Sequence, residues 1–77
     1  MMDKLEEKPD EVRKLTAIAI DMQLASKLRS QAIELIGQIG SHEALLALLT
    51  LAANTKLNTS DRDLALKKAR EVIKLDR

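Results

Sequence analysis

An all-α domain of four short antiparallel helices is the fold class that this sequence predicts, and three observations carry it. Leu, Ala and straight-chain charged residues, all good helix formers, fill most positions, and Phe, Tyr and Trp are absent. Glycine and proline occur only at Pro9, Gly37 and Gly40. Apolar residues recur once per helical turn, and no β-type alternation interrupts them.

Residues 1–8 are mostly charged and read as a frayed tail ahead of a single helical domain over residues 9–77. Helix 1 is expected over about residues 9–22. Pro9 suits a first turn, and Asp10 and Glu11 favour its positive end. Val12, Leu15, Ile18, Ala19 and Met22 give it an apolar stripe. Helix 2 is expected over about residues 26–39, capped by Ser26, with Leu28, Ala32, Leu35, Ile36 and Ile39 as its buried face. Gly40 stands where a left-handed C-cap is wanted, and Ser41 can cap the next helix at once.

Helix 3, over about residues 42–54, is apolar almost all round from Ala44 to Ala53 and so should be covered on more than one side. A polar connection follows, with Leu57 as its apolar anchor. Thr59 or Ser60 then caps helix 4, over about residues 60–76, where Asp61 and Asp63 favour the first turn. Leu66, Ala69, Val72 and Ile73 form its stripe.

The 77 residues amount to one domain near the lower size limit for a self-sufficient core. With no cysteine, neither disulfides nor thiolate metal sites can brace it. A net charge of +1 gives no global field for polyanions. No basic segment followed by a long apolar run suggests a secretory signal, and the apolar run in helix 3 is too short to span a bilayer. A cytoplasmic protein without membrane association is expected.

Sliding the chain against itself by about 33 residues brings two pairs of helices into register. Arg29 falls on Arg62, Ala32 on Ala65, Ile33 on Leu66 and Ile39 on Val72. The same shift places Val12 on Leu45, Leu15 on Leu48, Ile18 on Leu51 and Ala19 on Ala52. Within this pattern, the run from Leu28 to Gly40 carries an arginine, a small residue at Ala32 and the ending Ile36-Gly37-Gln38-Ile39-Gly40. It resembles the first helix of a HEAT-like repeat of the PBS-lyase type, and Ser41 to Leu49 resembles the second.

The resemblance is best over residues 28–53. It implies that Gly37 lets neighbouring helices approach and that Gly40 turns the chain. Helix 4 keeps Arg62 and Ala65 but has Arg70 where the first glycine would be, and it lacks the closing glycine. Either a HEAT-like repeat or a compact four-helix bundle satisfies the pattern.

Catalytic groups are scarce. His42 is the one conventional acid–base candidate, and no Ser, Cys or Asp pattern around it suggests a triad. The carboxylates, Glu34 and the acidic start with Asp10 and Glu11 among them, are dispersed surface charges rather than a paired catalytic set. Some HEAT-like proteins are bilin lyases, but this chain is far shorter and supplies no catalytic group. A non-enzyme without metal or cofactor is expected.

HEAT-like repeats generally present helical surfaces to other proteins, so the resemblance implies a protein–protein interaction or assembly module. The candidate surface is Val12, Leu15, Ile18, Leu66, Val72 and Ile73, with a protein partner or a second copy in a homodimer as the occupant. The alternative is a small nucleic-acid-binding accessory. It would use the basic stripe Lys67, Arg70, Lys74 and Arg77 on helix 4, which Glu71 and Asp76 interrupt.

Overall fold

The structure, a computed structural model, describes residues 3–75, and side chains over residues 10–74. Four helices follow in order: α1 (Asp3–Ala19), α2 (Ser26–Ile39), α3 (His42–Ala53) and α4 (Thr59–Leu75). The helix hairpin α2–α3 is central and touches every other helix. Among the described residues α1 and α4 do not meet; α1 packs on α2 and α3, and α4 packs on the same two helices. The fold is all-α, as the composition and periodicity predict.

The first helix departs from expectation at both ends. It begins at Asp3, so residues 3–8 are helical rather than a frayed tail, and Pro9 lies inside the helix. Straight-chain residues sustain these turns although Pro9 has no N–H to donate to Leu5. At the far end the helix stops at Ala19, not Met22. Asp21 breaks it: its carboxylate accepts the Gln23 N–H at 3.0 Å, closing a local turn that competes with the helix. Met22 therefore sits exposed on that turn instead of filling the core.

Two of the three expected caps also move. Ala25, with ψ of 146°, is the N-cap of α2 and has no side-chain bond, while Ser26 is already helical. Asn58 rather than Thr59 or Ser60 caps α4, its Oδ1 accepting the Asp61 N–H at 2.9 Å. Ser41 caps α3 as expected, accepting the Ala44 N–H at 3.1 Å. Gly40 adopts φ 64°, and its N–H closes on the Ile36 carbonyl. A side chain there would be strained, which is why the chain turns at a glycine.

The repeat seen in the sequence reappears as geometry. The turn before α2 and the turn before α4, about 33 residues apart, carry the same hydrogen bonds. Asp21 Oδ1 accepts from Gln23 N–H, and Asn54 Oδ1 accepts from Lys56 N–H. The Leu24 N–H closes on Asp21 and the Leu57 N–H on Asn54. The Arg29 N–H closes on Ala25 and the Arg62 N–H on Asn58.

Among the described residues twelve apolar ones form the buried core, and five of them are alanines. Small and large side chains therefore share the contacts between helices. Gly37 is one such place. A Cβ built there would stand 3.1 Å from the Lys68 Cβ, so α2 and α4 approach where only glycine fits comfortably. Ile33, Ile36, Leu48 and Leu51 are the large side chains fully enclosed.

Two helices present faces other than those expected. In α2, Ala32, Ile33 and Ile36 are buried, whereas Leu28 and Leu35 are exposed and Ile39 is half-buried. In α4, Ala65, Ala69 and Val72 are buried, whereas Leu66 and Ile73 are exposed. Arg29 goes inside with the α2 face. Its Nε donates to the Asp61 Oδ2 at 3.0 Å and its Nη1 to the Leu24 carbonyl at 2.7 Å. Among the described residues no buried side-chain nitrogen or oxygen lacks a partner.

Candidate interaction surface

Among the described residues the candidate acid–base side chains stand apart from one another. His42 is the first residue of α3 and is exposed. Among the described residues, no group of three or more His, Cys, Asp or Glu could hold a metal ion. Glu34, Asp10 and Glu11 are exposed and separate, and Asp10 pairs with Lys14 one helical turn along α1. Among the described residues the one buried ionic pair is Arg29–Asp61, whose arginine also holds the Leu24 carbonyl.

The six apolar residues expected to form an interaction surface divide three ways. Val12 and Val72 belong to the core and are corrected accordingly, because α1 and α4 turn these positions toward the α2–α3 hairpin. Leu15 and Ile18 line the surface between α1 and α2. Leu66 and Ile73 lie exposed on α4, on the far side of the hairpin from α1. The single expected surface is thus two separate faces.

The face on α1 and α2 is a groove. One end of it, about 450 Å³, is lined by Leu15, Leu35 and Ile39, with Glu11, Lys14 and Gln38 at its rim. It continues past Leu15 and Leu35 to Ile18, Leu24 and Leu28. Leu28 and Leu35 are two helical turns apart on α2, so both project to one side. That spacing was visible in the sequence, but it read as core because the stripe of Ile33 and Ile36 beside it competes for the same role. Leu24 and Ile39 were likewise absent from the expected surface.

The basic stripe is present on α4 as an exposed row of Lys67, Arg70 and Lys74; Arg77 lies outside the described residues. Lys68, beside that row, pairs with Glu71 at 3.3 Å. Among the described residues no helix is long and apolar enough to cross a membrane. Comparison with family models, curated proteins and solved structures found no match to this chain.

Proposed function

We propose that this chain is a non-enzymatic protein–protein interaction or assembly module of HEAT-like helical type, working in the cytoplasm. The observation that supports it is the groove between α1 and α2, where Leu15, Ile18, Leu28 and Leu35 line one contiguous apolar surface open to solvent. Such a surface in a small domain is costly to leave wet and gains from burial against a partner. Its lining is apolar with charge only at the rim, the anatomy of a helix-binding groove rather than of a substrate pocket.

The test is affinity capture with the chain as bait, comparing the native sequence with Leu28→Glu/Leu35→Glu. Both leucines are exposed, so the double variant should keep its helical circular dichroism and cooperative melting. The reading expects the protein partners held by the native chain, further copies of itself included, to be lost from the variant. Identical partners on both baits would sink it.

The nucleic-acid alternative rests on the exposed row Lys67, Arg70 and Lys74. It is the weaker reading because Asp63 and Glu71 share the helix and no aromatic side chain is available for base stacking. Retention on a polyanion that falls with salt and vanishes in Lys67→Glu/Arg70→Glu would replace the protein-binding reading with this one.

A further inference from the structure

The two turns that the repeat relates carry the same backbone bonds but are held down by different means. Leu57, at the end of the turn before α4, is buried, with 5% of its surface exposed. Leu24, its equivalent before α2, is only half-buried, and Ile20 to Gln23 and Ala25 around it are exposed. Among the described residues, the backbone bonds of this stretch stay within it or run to the adjoining turns of α1 and α2. Its side-chain anchor is Arg29, whose Nη1 donates to the Leu24 carbonyl at 2.7 Å. Arg62, the repeat equivalent of Arg29, donates elsewhere, to the Ala52 carbonyl on α3.

The guanidinium of Arg29 has a second bond. Its Nε donates to Asp61 Oδ2 at 3.0 Å, in the first turn of α4. One side chain thus ties the Leu24 carbonyl to a helix with which the turn's own backbone shares no hydrogen bond. A bond from a charged donor contributes more than one between neutral groups, whereas exposed turn residues contribute little packing. Leu24 also lines the end of the α1–α2 groove, with Ile18 and Leu28. The position of that end wall therefore depends on Arg29.

We propose that Arg29 is a latch for the groove. With Arg29 on Asp61, the turn is closed and Leu24 forms the end wall. With the pair parted, residues 20–25 swing out together while the four helices stay packed, and the groove opens at that end. The pair is then the two-state element through which the groove and the start of α4 bias each other. The groove is the one on which the interaction-module reading rests, but the test of the latch needs no partner.

The experiment is hydrogen exchange followed by nuclear magnetic resonance at several low urea concentrations. The Leu24 N–H, bonded to the Asp21 carbonyl at 3.0 Å, reports closure of the turn, and the Arg29 Nε–H reports the pair. In the native chain both should show the same protection and the same urea dependence, below those of the Leu48 N–H in the core. Arg29→Met/Asp61→Leu removes the latch and leaves no buried charge. In that variant the Leu24 N–H should exchange roughly tenfold to a hundredfold faster, relative to the Leu57 N–H of the same molecule.

A native Leu24 N–H that exchanges far faster than the Arg29 Nε–H overturns the proposal, because the turn then moves with the pair intact. Equal protection of Leu24, Arg29 Nε and Leu48 overturns it as well, since the pair then parts only on unfolding. So does an unchanged ratio of Leu24 to Leu57 exchange in the double variant. If that variant does not fold, exchange in the native chain decides alone. The capture experiment is independent of all these outcomes, so the interaction-module reading stands or falls separately.

Discussion

Arg29 and Asp61 are joined inside a protein whose core is otherwise apolar, with side chains 6% and 3% exposed. Removing charges from water is costly, and here the cost is offset by direct pairing, by the Leu24 carbonyl on the arginine and by close packing. Arg29→Met leaves Asp61 buried without its partner and should cost about 3–5 kcal/mol. Arg29→Met/Asp61→Leu should recover most of that loss, measured by urea denaturation; a double variant as unstable as the single would show that packing, not charge, is at stake. The repeat pattern aligned Arg29 with Arg62 but did not foresee the partner. Arg62 donates instead to the Ala52 carbonyl at 2.9 Å. Asp61 had an adequate local explanation as a first-turn acid, which hid its tertiary role.

At the level of elements, helix ends were decided by side chains competing for backbone donors. Asn58→Ala removes the bond to the Asp61 N–H and should cost about 1 kcal/mol. Ser26→Ala should change stability by no more than a few tenths of that, because Ser26 lies inside α2 and caps nothing. Equal effects in thermal melts would refute this assignment. Contact between helices is tested at Gly37. Leu there is a better helix former by about 1 kcal/mol, but its side chain must enter space held by Lys68. Overpacking of roughly 1–3 kcal/mol outweighs the gain, so Gly37→Leu should melt lower than the native chain. The HEAT-like pattern implied close approach at this glycine, and the contact with Lys68 is where it occurs. The paired turns after Asp21 and Asn54 were legible only as polar connections, since the Asx turn depends on a local choice of rotamer.

Across the whole molecule, stability rests on a small core in which Leu48 is fully enclosed between the hairpin and its flanking helices. A carboxylate at that site has no partner and cannot reach water, so Leu48→Asp should abolish cooperative thermal melting and most helical circular dichroism. Retention of a native melt would show that α3 is not the centre. Other apolar surface is left open at the groove and at α4.

Helix number, helix type, the Gly40–Ser41 turn, the Leu57 anchor and the shift of about 33 residues all followed from the sequence alone. These are local properties, set by backbone freedom, propensity and spacing along one chain. The inward faces of α2 and α4 followed only in part: Ala32, Ile36, Ala69 and Val72 are buried as expected, whereas Leu28, Leu35, Leu66 and Ile73 are exposed. α2 has two apolar stripes, Leu28 with Leu35 and Ile33 with Ile36, of nearly equal hydrophobicity. Propensity cannot choose between them. Tertiary packing chose the second, because it also seats Gly37 against Lys68 and delivers Arg29 to Asp61. The rejected stripe became the groove, so the surface on which function is proposed was decided by packing between helices and not by any one of them.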